Sequence, residues 1–465
     1  MARGTARHAP RRHKLKPHPT AYLRQQTGSL VSRARQVRHT VRTRATSLTT
    51  NANAWRELLK SKDFAWLWTG QVISQVGDGV SKVALLWFVY NLTGSALKMT
   101  IIGILQTVPP LFLGPLAGVF LDRVPKRMAM IVIDLTRVAL LSLIPILYAM
   151  GMLTLAWLYV LVFLIALVSM AFSPALNAAI PLIAKRDQLT TANALMQSSA
   201  TIGQLLGPGI SGILIALMGP QNVLYINAAT FLISAVCKLP IRLQKDIRPS
   251  AVETYWQGLF QDLLAGFHFV FREQRMILLL MMVAALYNVG ATGFIYLLPV
   301  FGERVLHAGP VELGWLWSVL SVGILITTGW LAWKKQPDTC SQLWLIAGSA
   351  MIAGVAVLGL NVLVTPIFAV VLMVAIGGAA GLVTPIVSAG LQERTPKELL
   401  ARVFSFFNTG TMAFAMLGMI IFGWAADAFG PHAALVAIGC VKIGAAGFTV
   451  LLISICKRNS TIKAV

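Results

Sequence analysis

The sequence predicts an all-α membrane protein of about twelve transmembrane helices in two six-helix bundles. Three observations carry this. Bilayer-length apolar runs recur from Phe64 to Cys456, basic loop residues collect on one side of those runs, and the two halves share glycines and prolines at a fixed spacing. Hydrophobic residues make up 57% of the chain and charged ones 12%, where a soluble domain carries about 25% charge. Mean hydropathy is +0.73. Roughly 20 apolar residues cross the hydrocarbon layer, and lipid offers the backbone no hydrogen-bond partner, so each run must be helical. A closed barrel would show alternating segments of about ten residues. The runs here are longer and apolar on all sides.

In chain order, residues 1–52 form a basic tail expected to be disordered, rich in Arg, His, Ser and Thr and without an apolar run. The tail carries twelve Lys and Arg of its own and no acid, within a net charge of +23. Its composition fits contact with anionic lipid and also an organelle transit peptide. Residues 53–240 form the first bundle, with spans near 64–92, 97–120, 127–150, 154–184, 188–218 and 222–240. Residues 241–274 form a linker, in which Leu259, Leu263, Phe267 and Phe271 recur every four residues as the apolar face of a surface helix. The second bundle, 275–456, has spans near 275–304, 311–333, 341–361, 364–391, 400–427 and 432–456, and residues 457–465 are a short tail. Pro174 and Pro385 are candidate kinks in the long fourth and tenth spans.

Loop charge sets the orientation. One side holds Arg123, Lys126, Arg127, Lys185, Arg186, Lys334, Lys335, Arg394, Lys397 and Arg402, and the other only Lys98 and Arg304. The basic side is expected in the cytoplasm, with both termini there and the chain in the plasma membrane.

A duplication shows in the spacing. Gly79 and Gly290, Gly103 and Gly314, Gly118 and Gly329, Pro174 and Pro385, Gly207 and Gly418, and Gly212 and Gly423 are each 211 residues apart, as are Gly219-Pro220 and Gly430-Pro431. Close helix packing explains a single glycine, but a common offset points to a repeated six-helix unit.

Ionisable groups inside spans are functional candidates. Gln71, Gln75, Asp78 and Lys82 share one face of the first span, where Asp78 and Lys82 are spaced to pair. Asp134 and Arg137, one turn apart in the third, read as a structural pair near the basic loop, and Lys442 in the twelfth faces either protein or lipid. Milder polar stripes are Ser169, Ser173 and Asn177 in the fourth span, Asn288 and Thr292 in the seventh, and Thr384, Ser388 and Gln392 in the tenth. Tyr287, Tyr296 and Trp315 are flat apolar surfaces that serve packing or a ligand.

Gly118-Val-Phe-Leu-Asp122-Arg123-Val-Pro-Lys126-Arg127, after the second span, resembles the loop signature of the major facilitator superfamily, with Pro125 where that family usually has Gly. The resemblance implies a charge lock at the cytoplasmic side made by Asp122, Arg123, Lys126 and Arg127; topology alone also accounts for the basic residues. Gly203-x-x-x-Gly207-Pro208-Gly-Ile-Ser-Gly212 is similar to the antiporter signature of drug exporters, with Ser211 and Ala194 where glycines are common. Ser173-Pro-Ala-Leu-Asn177-Ala-Ala-Ile-Pro181, the run Asp187 to Asn193, and Arg402-Val-Phe-Ser405 resemble the branch of macrolide efflux proteins and the enterobactin exporter.

That resemblance covers about residues 55–455. It implies a secondary transporter exporting amphiphilic drugs or metabolites by proton antiport, with the first, fourth, seventh and tenth spans lining the cavity. Asp78, Lys82, Asp134 and Arg137 are then the candidates for proton coupling. Gln71, Gln75, Ser173, Asn177, Asn288, Thr292, Thr384, Ser388 and Gln392 are the candidates for the substrate path. Many proton-coupled exporters carry an Arg in the fourth span, and 154–181 has no charge at all. An importer, a siderophore exporter and a lipid transporter fit the same fold, and a membrane-anchored binding protein using the tail is the rival of another class.

The expected partners are a small-molecule substrate, a proton gradient and the bilayer, with the chain a monomer. Specific nucleic-acid reading is not expected, because Tyr22 is the tail's one aromatic. Cys237, Cys340, Cys440 and Cys456 show no metal-ligand spacing, and no phosphate loop or nucleophile motif occurs, so no cofactor, metal or enzymatic activity is expected.

Overall fold

A computed structural model of the chain describes residues 55–122, 124–242, 270–271, 275–334, 338–362, 365–396 and 399–462, with the backbone alone at 115–120, 122, 275, 339, 401 and 455–462. The chain divides into two compact units, Met1–Leu59 and Lys60–Val465. Of the first, residues 55–59 are described and helical. The tail of residues 1–52 and the linker positions Leu259, Leu263 and Phe267 lie outside the described residues.

The second unit is built of long helices. The spans are Lys62–Thr93, Ala96–Asp122, Lys126–Ala149, a fourth in two pieces (Leu155–Ser169 and Phe172–Ile183), Leu189–Met218 and Pro220–Lys238. The second half follows with Arg275–Arg304, Pro310–Trp333, Thr339–Val362, Pro366–Arg394, Leu400–Phe429 and Pro431–Ile462. Among the described residues, eleven helices are long and apolar enough to cross a membrane. The sixth, of 19 residues, falls short because Gln221, Asn222, Asn227, Thr230, Ser234 and Lys238 dilute it. Asn227, Ser234 and Lys238 are buried, so these polar groups serve the interior of the bundle.

The third span shows why this is a membrane fold. It buries Asp134 (0% exposed) and Arg137 (7%) and turns Met128, Val132 and Leu135 outward. A water-soluble helix does the reverse. The fourth span breaks at Met170–Ala171, one turn before Pro174, since a proline ring clashes with the carbonyl four residues earlier. The tenth runs unbroken through Pro385.

Lipid drives no hydrophobic association between helices, so close packing must hold them together, and the duplicated glycines are where it happens. A Cβ on Gly79 would lie 2.3 Å from the Gly203 carbonyl oxygen, and one on Gly207 2.6 Å from Gly79 Cα, which packs the fifth span on the first. One on Gly418 would lie 2.2 Å from the Val289 carbonyl oxygen, the same packing of the eleventh on the seventh. Gly212 meets Pro310 and Val311 of the eighth span, and Gly423 meets Leu97 and Thr100 of the second. The 211-residue offset thus marks two equivalent contacts between the halves. Gly219 and Gly430 hold φ of 81° and 87° before Pro220 and Pro431, a backbone that disfavours other residues, with the proline opening the next helix.

The halves meet at the end poor in Lys and Arg. There Asp427 of the eleventh span accepts hydrogen bonds from Ala96 N (2.7 Å), Leu97 N (3.1 Å) and the Ser95 hydroxyl, capping the second span from the opposite half. Arg304 donates to the Gly94 carbonyl at 2.9 Å and lies over the Tyr90 ring. A further contact is explained by a proline. Pro208 has no N–H, so the Gln204 carbonyl lacks its helical donor, and Ser321 of the eighth span donates to it at 3.1 Å.

Candidate functional site

The first and sixth spans approach closely because Gly77 carries no side chain: a Cβ there would lie 2.0 Å from Thr230 Oγ1 and 2.5 Å from Asn227 Oδ1. Thr230 donates to Asn227 Oδ1 at 3.1 Å, and Asn227 and Asp78 lie on one cavity wall. Beside them is a cavity of about 220 Å³, lined by Asp78, Ser81, Lys82 and Leu85 of the first span, Gln106 of the second and Asn227 and Phe231 of the sixth, and completed by the third and fourth. Asp78 and Lys82 carry accessible surface although both lie inside the span, because they border this cavity.

The pairing expected between Asp78 and Lys82 is not formed: among the described residues no ion pair joins them. Partners from other helices intervene. Lys82 Nζ lies 5.7 Å from the Tyr296 ring centroid in the seventh span, and Asp78 borders the cavity alongside Asn227. Of the same face, Gln71 is buried with its Oε1 unpartnered, and Gln75 packs against Gly203.

Asp134 and Arg137 form a looser pair than their spacing suggests, 3.9 Å from Arg137 Nη1 to Asp134 Oδ1. The tight partner is Lys238, whose Nζ lies 2.5 Å from Asp134 Oδ2. Lys238 is fully buried, donates also to Ser234 Oγ, and lies 5.0 Å from the Phe172 ring. Arg137 donates to the Ser169 carbonyl at 3.2 Å, at the break in the fourth span, and sits between the Phe172 and Phe231 rings. Sequence reasoning missed Lys238 and Asn227. The signal was the polar content of the sixth span, with a lysine still inside its last turn.

The remaining candidates do not line this cavity. Ser173, Asn177, Thr384 and Gln392 are exposed, and Ser388, Asn288 and Thr292 half-buried; Asn288 bonds within its own helix, to the Ala284 carbonyl. Tyr287 and Tyr296 are buried packing residues. Lys442 faces protein, 1% exposed, with Nζ 4.2 Å from the Tyr287 ring centroid.

In the loop signature, Gly118 and Asp122 belong to the second helix, but their side-chain surroundings and all of Arg123 lie outside the described residues. Lys126 Nζ donates to the Leu121 carbonyl at 2.5 Å, closing the turn around Pro125. Arg127 donates to the carbonyls of Lys238 (Nε, 3.0 Å) and Leu239 (Nη2), the end of the sixth span. In the second motif, Gly203 and Gly207 face the first span, while Pro208 and Gly212 face the eighth. Ser211, where a glycine is common, donates to the Val80 carbonyl at 2.7 Å.

Residues 67–412 match the Major Facilitator Superfamily. The multidrug efflux pump Tap of Mycolicibacterium fortuitum is 27% identical over 374 residues, covering 78% of this chain and 88% of its own length. Macrolide efflux protein A of Streptococcus pyogenes is 26% identical, covering 79% and 90%. Among solved structures, a bacterial homolog of the human lysosomal transporter Spinster, inward-facing and unoccupied, superposes with a TM-score of 0.67 at 12% identity, over 84% of this chain and 97% of that one. The nucleoside transporter NupG gives 0.65 at 15% identity, over 84% and 97%. At these identities the structures report the fold alone.

Proposed function

The chain belongs to the major facilitator superfamily, and from that premise we propose that it exports amphiphilic drugs or metabolites across the plasma membrane by proton-driven alternating access. It is a multi-pass membrane transporter, and its relatives include drug efflux pumps. The observation that carries the proton-coupled reading is Asp78, a carboxylate bordering a cavity inside the first bundle that Ser81, Lys82, Gln106 and Asn227 also line. A carboxylate that gains and loses protons needs a path to water, and in this reading the cavity beside Asp78 supplies it. Asp134 is shut away and bound to Lys238, so the carrier is Asp78. Lys82 and Arg137 set the field around it.

Alternating access rests on where the halves touch. With the basic loops placed in the cytoplasm, the contacts of Gly212, Gly423, Asp427 and Ser321 close the outer end, and the arrangement is inward-facing. The glycines of the fifth and eleventh spans are surfaces along which the halves part when the outer end opens. The basic cluster of Lys126, Arg127 and their neighbours locks the inner end in the opposite state.

The test is gradient-driven movement of a fluorescent amphiphile in proteoliposomes holding the purified chain. Asp78→Asn is expected to abolish the response to an imposed pH gradient and to leave counterflow in its absence. A variant that responds to the gradient as fully as wild type removes Asp78 from the mechanism. Absence of counterflow in the wild type, with a lipid probe moved instead, turns the reading to a lipid transporter.

A further inference from the structure

We propose that the cavity between the eighth and tenth spans, at the end poor in Lys and Arg, is a binding site for an ammonium group carried on an apolar body. It shares no lining residue with the cavity beside Asp78. The inference goes beyond the transport reading and does not rest on proton coupling.

The cavity holds about 350 Å³, within the roughly 300–1,000 Å³ of small-molecule pockets. Its walls follow from helical register. Glu312, Trp315 and Leu316 stand at i, i+3 and i+4 of the eighth span, and Pro366, Ala369 and Val370 repeat that spacing in the tenth. The two helices are held together further in, where a Cβ on Gly323 would lie 2.8 Å from Gly378 N. The cavity opens between their first turns, and His307, in the turn after the seventh span, closes it.

Two polar groups interrupt this apolar lining. Among the described residues, neither the Glu312 carboxylate nor the His307 imidazole takes part in an ion pair or a hydrogen bond. Gly309 makes room for the carboxylate, since a Cβ there would lie 2.9 Å from Glu312 Oε2. Arg304 does not neutralise it, being turned to the Gly94 carbonyl and the Tyr90 ring. His307 holds a φ of 49°, the one positive φ of a non-glycine residue among those described. Glycine or asparagine adopts that backbone at lower cost, and strain of this kind gathers at ligand sites. Trp315, 57% exposed, adds an indole one turn from Glu312. A carboxylate beside an indole suits an ammonium, through charge and through cation–π attraction, while the aliphatic walls take the apolar body. An anion would meet Glu312 as a like charge, and a neutral amphiphile would leave it without a counter-charge. The ammonium arrives on a free amphiphile or on the headgroup of a choline or ethanolamine lipid.

The experiment is photolabelling of the full chain in nanodiscs of digalactosyldiacylglycerol, an uncharged lipid without an ammonium. The probe is decyltrimethylammonium with a diazirine in its chain, and adducts are mapped by mass spectrometry. A neutral isostere, with carbon in place of nitrogen, and decyl sulfonate run beside it. The cation is expected to label residues 306–316 and 366–370 in preference to the other two. Glu312→Gln is expected to lower labelling by the cation about fivefold, the upper end for a charge pair open to water, and to leave that by the isostere unchanged. Trp315→Leu is expected to weaken labelling by the cation about 2- to 30-fold, the span of cation–π attraction. Both side chains are exposed, and unchanged melting confirms that the variants fold. Phosphatidylcholine nanodiscs separate the sources: weaker labelling there assigns the site to a lipid headgroup, and equal labelling to a free amphiphile. Equal labelling by all three probes, or labelling by the cation that survives both substitutions, overturns the inference.

Discussion

Substitution of Gly212 by alanine tests the contact between the halves. A Cβ there would lie 2.3 Å from the Pro310 carbonyl oxygen, 3.0 Å from Val311 Cα and 3.1 Å from the Pro310 carbonyl carbon. All three are backbone atoms, so no rotamer relieves the clash. Carbon–oxygen contacts settle near ~3.3–3.6 Å, so the fifth and eighth spans must separate by roughly 1 Å. Overpacking of this kind costs about 1–3 kcal/mol. Alanine also favours the helix by about 1 kcal/mol, but equally in every state that keeps the fifth helix, so that gain cancels. In the proposed alternating-access cycle the clash exists only while the outer end is closed, and about 1–3 kcal/mol moves a two-state ratio by about 5- to 150-fold. The assay is a distance distribution between labels on Leu217 and Ile367, which are 75% and 78% exposed. Gly212→Ala is expected to raise the long-distance population. Gly329→Ala, where an added Cβ meets nothing within 4 Å, is expected to leave it alone. An unchanged distribution in Gly212→Ala would refute both the contact and the two-state reasoning.

Other outcomes follow from the same interface. Ser321→Ala strands the Gln204 carbonyl and is expected to favour the open outer end by about 0.6–1.7 kcal/mol, the range for interhelical hydrogen bonds in membranes. Pro208→Ala restores an N–H to that carbonyl, so the double variant should lose most of the effect; an additive cycle in the same distance assay would rule out the explanation. Asp427→Ala removes a cap worth about 0.5–2 kcal/mol, and hydrogen exchange at Ala96 and Leu97 should rise several-fold. Exchange that stays at the wild-type rate would mean Asp427 does not hold that helix end.

Much of the fold was legible because lipid makes it so. Span length and the repeat of Gly219-Pro220 at Gly430-Pro431 are local or periodic signals, and the helices sit where those signals place them. The site was less legible. Asp78 and Lys82 stand one turn apart and invited a pairing, but the groups beside them, Asn227 and the Tyr296 ring, come from the sixth and seventh spans. A helical register shows which residues share a face and not what another helix brings to it. Lys238 sits at the edge of the charged linker, beside Arg242 and Lys245, where a lysine reads as a topology signal, and only the packing of the sixth span on the third reveals it as the counter-ion of Asp134. Asp427 was hidden for the same reason, since its partners lie 331 and 330 residues away.

The central claim is proton-driven export, and the most direct test is accumulation of an amphiphile panel in efflux-deficient cells with and without the chain, before and after a protonophore. Cells that carry the chain are expected to accumulate less, with accumulation restored by the protonophore and no reduction with Asp78→Asn. Lower accumulation that survives the protonophore would contradict proton coupling, and equal accumulation across the whole panel would contradict amphiphile export.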